Sequence, residues 1–340
     1  MLFLGKHLLP ENDPFVVAEI SCNHGGHTAQ ARDLIYAAKD AGADAVKIQV
    51  YTPDEMTLDC GEVDFRIESG LWNGQTLYEL YEKTQTNHEL ALEMFAYAKT
   101  INIPMFMSVF GRPSLSFGHV INSPAYKIAS FEITDLDLIR ATANEAKPMV
   151  LSTGMASMDE IQQAMLCVNP SNVILLHCVS AYPAKIGEAN LWKIPYLRNL
   201  YNVPIGFSDH TKGVLAAQLA VAMGAQMLEK HLALINTDTA DKTFSLNPVE
   251  FRQYIKLCRV AAESTFRSRG AEEESSRQFR RSIYVVKDIK IGDLLTRNNI
   301  KTIRPSYGLC ATKYPGIISG YKHATVDIKT GTALKEEYFK

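Results

Sequence analysis

Two histidines in the middle of this chain are the first candidates for chemistry. His210 and His231 each close a short strand-like segment, and an apolar stretch of helical length, residues 212–224, lies between them. The order strand, crossover helix, strand makes the two strands parallel, so both imidazoles lie at the same end of the sheet. Imidazole is a common ligand of divalent metals, and two of them leave coordination positions open. The spacing therefore predicts a metal site, with two unrelated loop histidines as the alternative.

The ends of the other strand-like segments are also polar. They carry Glu19, Lys47, Gln49, Ser108, Lys127, Ser130, Ser152, His177, Ser180, Tyr182, Ser208, Asp209, Glu229 and Lys230. Ammonium groups, hydroxyls and the backbone N–H groups of a glycine turn such as 152–155 all donate to anionic oxygens. The set predicts a site for a small phosphorylated or carboxylated ligand. A single lysine such as Lys127 could instead pair with a carboxylate only to satisfy buried charge.

A repeated alternation of strands and helices is the scaffold that these residues need. Eight apolar runs are each followed by a segment of helical length, and the runs are residues 15–20, 43–50, 103–110, 126–129, 148–152, 173–178, 203–208 and 226–231. Such runs are typical of parallel strands buried on both faces. Their number predicts a (β/α)8 TIM barrel, whose usual length is about 250 residues and whose active site lies where the strands end. A doubly wound sheet competes, but no G-x-G-x-x-G follows the first run.

The last part of the chain has a different composition. Residues 271–281 are charged with little apolar content, which predicts a solvated linker. Beyond them, short β-like runs alternate with turns, and the phrases 285–292 and 324–331 are nearly the same. We therefore predict a barrel domain over 1–270 and a small β-rich domain over 282–340. Their net charges of −7 and +5 favour docking of the one on the other.

Composition excludes several classes of protein. The 340 residues are 46% hydrophobic and 21% charged, with a net charge of −2, which is ordinary for a globular protein. Basic residues are scattered and no nucleic-acid-binding motif occurs, so no nucleic-acid partner is expected. No apolar run is long enough to span a membrane and no signal peptide is recognisable, which predicts a cytoplasmic protein. Six cysteines without a C-x-x-C favour free thiols.

A series of motifs resembles the sialic acid synthase family. In chain order they are AEISCNH at 18–24, GADAVKIQ at 42–49, YKIAS at 126–130, STGM at 152–155, GFSDH at 206–210, EKH at 229–231 and FSL at 244–246. Members of that family condense phosphoenolpyruvate with an N-acetylated amino sugar, with C–O cleavage and release of phosphate, to make a nine-carbon 2-keto sugar acid. The resemblance implies the same transferase reaction here, with Mn²⁺, Co²⁺ or Mg²⁺ as cofactor.

The resemblance also implies roles for the matching residues. Those expected to bind phosphoenolpyruvate are Lys47, Lys127, Ser130, Ser152, Ser180 and Ser208. His210 and His231 would hold the metal. The candidate catalytic residues are Glu19 at the reacting centre, Tyr182 against the sugar, and Glu229, which would position the sugar or a water. Gln49 and Asp241 would contact the sugar, and Asp209 could hold one imidazole in the required tautomer.

Within that family, residues 70–72, 77–81 and 304–309 and the turn at Ser180 look most like the pseudaminic acid synthase branch. This implies 2,4-diacetamido-2,4,6-trideoxy-altrose as the sugar. Trp72, Tyr78 and Tyr81 could contact its methyl and acetamido groups, with packing of an aromatic cluster at near-helical spacing as the alternative. N-acetylneuraminate and legionaminate synthases are the alternatives. Remoter alternatives are a Schiff-base aldolase that uses Lys127 or Lys230 and a non-catalytic carbohydrate-binding protein.

The final domain resembles the antifreeze-like (SAF) domain that follows the barrel in this family. There the domain caps the barrel of the partner subunit in a domain-swapped homodimer. The resemblance therefore implies a homodimer in which Arg304 completes the sugar site of the neighbouring subunit. A guanidinium suits this role because it can donate paired hydrogen bonds to an acetamido carbonyl.

Overall fold

The protein is described by a computed structural model that covers residues 2–8, 13–70, 72–266 and 271–340. It has two compact units, which divide between residues 266 and 267. Leu71 of the 70–72 motif and residues 267–270 of the predicted barrel domain lie outside the described residues. No helix among the described residues has both the length and the apolar character needed to cross a membrane.

Eight parallel strands of the first unit close into a barrel, preceded by a hairpin of β1 (Leu2–Phe3) and β2 (Lys6–His7). The barrel strands are β3 Phe15–Glu19, β4 Ala45–Gln49, β5 Met105–Ser108, β6 Tyr126–Ile128, β7 Met149–Ser152, β8 Val173–Cys178, β9 Ile205–Asp209 and β10 Met227–His231. The register places Glu19 beside both Lys47 and His231. Each strand overlaps one of the eight predicted runs, so the predicted TIM barrel is confirmed.

Helices follow the strands and form the outer layer of the barrel. They are α1 Thr28–Ala41, α2 Pro53–Met56, α3 Leu77–Thr84, α4 His88–Thr100, α5 Arg112–Val120, α6 Leu136–Ala143, α7 Met158–Met165, α8 Lys193–Tyr201, α9 Leu215–Ala222 and α10 Pro248–Phe266. Local sequence sets several of their ends. Asn87 caps α4 by accepting a hydrogen bond from the Leu90 amide, and Ser157 with Glu160 forms a capping box on α7. Gly42 ends α1 with a left-handed φ of 95°.

The alternation of side chains along each strand separates the outer core from the barrel lumen. Outward residues such as Val46 and Ile48 pack against the helices. The lower inward positions form an apolar layer of Phe15, Val17, Ala45, Phe106, Val150, Ile174, Leu176 and Met227. Phe3 of the hairpin packs edge-on against Phe15, with ring centroids 5.1 Å apart, at this end of the lumen. The inward positions closer to the strand ends are polar, and they form the candidate site.

The second unit is built around the repeated phrase. Strands β11 (Ser282–Val285) and β12 (Ile300–Ile303) pair antiparallel. The two copies of the phrase pair with each other, because the Ile289 amide donates to the Ile328 carbonyl at 2.9 Å and the reverse bond is 2.8 Å long. The equivalent aspartates match as well: Asp288 accepts from the Thr330 amide and Asp327 from the Ile291 amide. The repeat is therefore an approximate two-fold pairing of two similar arms.

Part of the segment predicted as a linker is helical. Helix α11 covers Ala271–Ser275, and a 3₁₀ turn covers Ser276–Phe279. Glutamates favour helix, and the ion pair between Arg277 and Glu274, 2.6 Å long, joins the two pieces. A last helix, α12, spans Tyr314–Ser319.

Candidate active site

A buried trio of charged side chains occupies the polar layer of the barrel. The Lys47 ammonium lies 2.8 Å from Glu19 Oε2 and 3.3 Å from Glu229 Oε2, and it donates to Ser108 Oγ at 3.1 Å. All three charged groups are at least nine-tenths buried. Their positions follow from strand geometry, since Glu19, Lys47 and Glu229 are inward residues of adjacent strands β3, β4 and β10.

The trio holds two carboxylates of different acidity. Burial raises the pKa of Glu19 to about 7 in spite of the neighbouring Lys47 charge. Burial also acts to raise the pKa of Glu229, but the charges of Lys47 and Lys127 hold it below its usual value. Burial would lower the pKa of Lys47, yet the two carboxylates keep it above the ordinary value. Glu19 is therefore the member of the trio that exchanges a proton near neutral pH.

Further donors surround this trio. Lys127 points into the lumen, donates to the Ile128 carbonyl at 2.9 Å, and has a pKa lowered to about 8 by burial. Ser130 Oγ accepts from the Gly154 amide at 3.1 Å and lies 3.0 Å from Cys178 Sγ. The Ser152 hydroxyl is buried without a hydrogen-bond partner. An anion would satisfy these donors, so their chemistry suits phosphate and carboxylate oxygens.

Gly154 is required by the crowding at this point. A Cβ atom at residue 154 would lie 2.3 Å from Ser180 Oγ, 2.7 Å from Cys178 Sγ and 2.8 Å from Ser130 Oγ. Any other residue would push the hydroxyls apart, so the glycine keeps the backbone close to them.

The two histidines end β10 and follow β9, with ring centroids 5.6 Å apart. His210 Nδ1 lies 2.9 Å from the Val179 carbonyl, so this nitrogen carries the proton and Nε2 keeps its lone pair. His231 Nδ1 is buried without a hydrogen-bond partner, 3.5 Å from Asp241 Oδ2. Burial lowers the pKa of His210 to about 4 and that of His231 well below its usual value.

Neutral, buried imidazoles with free lone pairs fit a divalent metal. Among the described residues, no group of three or more histidine, cysteine, aspartate or glutamate side chains is arranged to hold a metal ion. The chain would therefore supply two imidazoles and leave the other positions to substrate or water.

The predicted sugar contacts lie above this layer. The Tyr182 ring packs 4.3 Å from the His210 ring and 5.0 Å from Phe244, measured between centroids. Gln49 donates to Glu19 Oε1 at 3.3 Å. Asp241 is buried beside His231, and burial raises its pKa against the opposing influence of Ser21 and Cys22. The structure thus brings the predicted phosphoenolpyruvate, metal and catalytic residues of the barrel to one mouth, while their roles stay predictions. Arg304 is an exposed residue of the second unit.

Three strand-end residues lie outside this site. His177 points outward from the barrel, because its Nε2 lies 2.7 Å from the Ala189 carbonyl and its ring stacks on Phe207 of the outer core at 5.9 Å. Asp209 and Lys230 point outward from the barrel and form a fully buried ion pair, 3.2 Å long. The Asp209 carboxylate also accepts from the Thr211 amide at 2.8 Å and from its hydroxyl at 2.7 Å. The prediction that Asp209 holds an imidazole is therefore wrong, because alternation turns Ser208 and His210 inward and Asp209 away. Lys230 is equally removed from any substrate in the lumen.

Glu132 is a site residue that the sequence analysis missed. It ends a 3₁₀ turn, Ser130–Glu132, directly after β6. One of its carboxylate oxygens is buried without a hydrogen-bond partner. Burial raises its pKa to about 7 against the charge of Lys127. The sequence shows only that Glu132 comes two residues after Ser130. The tight turn is what brings its carboxylate near the charge of Lys127.

Comparison with known proteins agrees with this geometry. Residues 34–268 match the NeuB family, and residues 280–339 match the SAF domain. The chain is 40% identical to the pseudaminic acid synthase of Campylobacter jejuni, with 96% of both chains covered. It is 41% identical to the pseudaminic acid synthase of Helicobacter pylori, with 95% of this chain and 97% of that protein covered.

Solved structures are similar over most or nearly all of this chain. The N-acetylneuraminic acid synthetase of Leptospira borgpetersenii aligns with a TM-score of 0.70 and 31% identity, covering 78% of this chain and 90% of that one. The spore coat polysaccharide biosynthesis protein SpsE of Bacillus subtilis aligns with a TM-score of 0.67 and 28% identity, covering 99% and 98%.

Proposed function

The chain belongs to the NeuB family, and on that premise we propose that it condenses phosphoenolpyruvate with 2,4-diacetamido-2,4,6-trideoxy-altrose. The products are a pseudaminic acid, which is a nine-carbon 2-keto sugar acid, and inorganic phosphate. Three relatives named pseudaminic acid synthase are about 40% identical to this chain over nearly its full length. The predicted membership of the sialic acid synthase family and the predicted enzyme class are confirmed.

The observation that carries the proposal is the shared Lys47 ammonium between Glu19 and Glu229. Burial and the charge of Glu229 outweigh the Lys47 ammonium in raising the pKa of Glu19 to about 7, so that Glu19 can exchange a proton at neutral pH. Lys127 and the Ser130 and Ser152 hydroxyls lie around the same point of the lumen and suit the anionic oxygens of phosphoenolpyruvate, whereas Ser208, predicted in the same role, gives its proton to Glu229. Binding would place its C2 near a carboxyl group that can take up and release a proton.

The reaction needs such a group twice. C3 of phosphoenolpyruvate attacks the sugar aldehyde carbon, so the enol electron pair forms the new C–C bond and leaves C2 electron-deficient. Water adds at C2, the C2–O bond to phosphate breaks with its electron pair on phosphate, and the keto group forms. The attacking water loses one proton as it adds and the other as the keto group forms, and of these two protons one reaches the new alkoxide and one the released phosphate. Glu19 suits both transfers, with a contribution on the order of 10² to 10⁴ in rate.

A divalent metal, which we propose His210 and His231 hold, would supply Lewis acidity toward the aldehyde oxygen when bound. The two neutral imidazoles orient this end of the site, and the Tyr182 ring on His210 covers it from water. Asp241 lies beside His231 and Gln49 beside Glu19, and the proposal has these two side chains accept from and donate to the sugar. Glu229 stays ionised and fixes the Ser208 hydroxyl, which donates to it at 3.0 Å.

A Schiff-base aldolase is the second candidate, because Lys127 is inward and its pKa is lowered to about 8. A covalent imine would form with metal absent and would be trapped by borohydride with a mass increase on Lys127. Lys230 does not support this mechanism, since it is fully buried outside the lumen. If Lys127 is unlabelled after borohydride treatment while phosphate is released, the Schiff-base aldolase is excluded and the condensation is supported.

We further propose that the enzyme is a homodimer and works in the cytoplasm, where phosphoenolpyruvate is available. The sequence supports the location through its six cysteines, all of which are free thiols. The family resemblance supports a partner subunit whose Arg304 reaches the sugar site.

The reaction is tested with phosphoenolpyruvate that carries ¹⁸O in the bridging position and with each of three sugars. The sugars are the altrose derivative, N-acetylmannosamine and the legionaminic acid precursor. We expect turnover of the altrose derivative and label in the released phosphate. Label in the sugar acid would mean P–O cleavage, and a preference for another sugar would move the chain to another branch.

A further inference from the structure

Two aromatic rings face the barrel mouth above the charged trio. The Tyr51 ring packs edge-on against Phe110 at 5.2 Å between centroids, and Tyr81 supports Tyr51 from behind at 5.8 Å. We call Tyr51 and Phe110 the aromatic wall. Tyr51 is 4% exposed, and Phe110 and Tyr81 are half-buried.

Strand alternation decides which way the wall faces. Val50 and Val109 are fully buried in the core between barrel and helices, so their neighbours Tyr51 and Phe110 lie on the opposite, inward side. Tyr51 is two residues beyond Gln49, and Phe110 is two residues beyond Ser108. The wall therefore lies directly above Gln49 and Ser108 on the inward side of the barrel, closer to solvent than the charged layer.

The wall offers carbon atoms to the mouth. The Tyr51 hydroxyl lies 2.8 Å from Thr84 Oγ1, and the Thr84 hydroxyl donates its own proton to the Leu80 carbonyl. Tyr51 must therefore be the donor, and its only proton is used within the protein. Burial raises the pKa of the Tyr51 hydroxyl, which keeps that proton in place. Phe110 has no polar atom in its side chain.

The wall lies at the same mouth as the predicted sugar contact Gln49, which is two residues before Tyr51 and donates to Glu19 Oε1 at 3.3 Å. A ligand at this mouth would meet the polar side chains of the charged layer below it and aromatic carbon at the wall. Such a surface suits a sugar that has both hydrogen-bonding groups and a methyl group.

We propose that the aromatic wall makes the enzyme select sugars that end in a methyl group over sugars that end in a hydroxymethyl group. The inference rests on the proposed function and names the residues that read the 6-deoxy position. A methyl group would be buried against Tyr51 and Phe110, whereas a hydroxyl there would lose its water without gaining a partner. For a change of this size, discrimination of about 10 to 200-fold in kcat/KM is expected.

The test compares 2,4-diacetamido-2,4,6-trideoxy-altrose with the same sugar carrying a 6-hydroxyl. Wild-type enzyme should favour the deoxy sugar, and Phe110→Asn should reduce the ratio of the two kcat/KM values about tenfold. Tyr51→Phe is the matched control, because it removes only the hydroxyl that faces Thr84, and it should keep the wild-type ratio. KM for phosphoenolpyruvate should change less than about two-fold in both variants.

If Phe110→Asn does not fold, Phe110→Tyr carries the test, since it keeps the ring and adds one hydroxyl. An unchanged ratio in a folded, active Phe110 variant would overturn the inference alone. A lack of turnover of both sugars by the wild-type enzyme with phosphoenolpyruvate would overturn the proposed function and the inference together.

Discussion

Replacing Glu19 by glutamine should change how the stability of the protein depends on pH. The folded protein raises the pKa of Glu19 from an ordinary 4.5 to about 7, chiefly by burial. Below pH 4.5 this carboxyl is protonated in both the folded and the unfolded chain. Between pH 4.5 and about 7 only the folded chain keeps the proton. The free energy of unfolding therefore decreases as pH rises through this window.

The size of the effect follows from the two pKa values. One pKa unit corresponds to about 1.36 kcal/mol, so the loss for Glu19 over the whole window is about 3 kcal/mol. Glutamine occupies nearly the same volume and carries no titrating proton. The unfolding free energy of Glu19→Gln minus that of wild type should therefore rise by about 3 kcal/mol from pH 4.5 to pH 8. This holds whatever the stability of the variant at either pH.

Urea unfolding of both proteins at several pH values from 4.5 to 8 measures this double difference, with Glu68→Gln, in an exposed position, as the control. The control difference should stay constant within about 0.5 kcal/mol. A Glu19→Gln difference that is equally flat would show that Glu19 stays ionised beside Lys47, and the proton-transfer role would lose its basis. A difference that runs in the opposite direction would mean that Lys47 lowers the pKa of Glu19.

Three further predictions concern the rest of the site. Lys47→Met should cost about 3–5 kcal/mol of unfolding free energy, because it leaves two buried carboxylates without their cation. Adding Glu19→Gln should restore part of this stability, measured by urea unfolding, but should not restore phosphate release. Restored activity would contradict the role of Lys47. His210→Ala and His231→Ala should each weaken Mn²⁺ binding in calorimetry and abolish activity with little change in melting temperature, and unchanged Mn²⁺ affinity would exclude these ligands. Arg304→Ala and His210→Ala subunits, each nearly inactive, should regain activity after mixing and subunit exchange if Arg304 acts in trans, and proven exchange without activity would refute it.

Much of the barrel and of its polar layer was predictable because both depend on short-range periodicity. A parallel strand buried on both faces is an apolar run, and the first polar residues after it lie at one face of the sheet. This logic located Lys47, Lys127, Ser152 and Glu229 correctly at a common mouth. The family motifs then distinguished these residues from ordinary strand ends, which periodicity alone does not do.

The wrongly predicted residues are those whose side-chain direction depends on whether they occupy an inward or an outward position of the strand. Asp209 lies between Ser208 and His210, and a shift of one position reverses the face of the sheet on which a side chain lies. The sequence marks all three as polar strand-end residues, so the outward ion pair of Asp209 with Lys230 only emerges once β9 and β10 are in register. Glu132 was missed for a related reason, since a 3₁₀ turn has no fixed two-residue alternation.

The upper half of the site depends on a loop contact that no local pattern encodes. Asn23 is fully buried, and its side-chain amide donates to the Leu232 carbonyl at 2.9 Å and to Ser245 Oγ at 3.0 Å, while its oxygen accepts from Thr239 Oγ1 at 2.6 Å. Ser245 Oγ in turn donates to the Asp241 carbonyl at 2.7 Å. One side chain after β3 thus fixes the loop after β10 on both sides of Asp241. Because its partners are more than 200 residues away in sequence, Asn23 reads as an ordinary loop residue until the barrel closes and brings β3 beside β10.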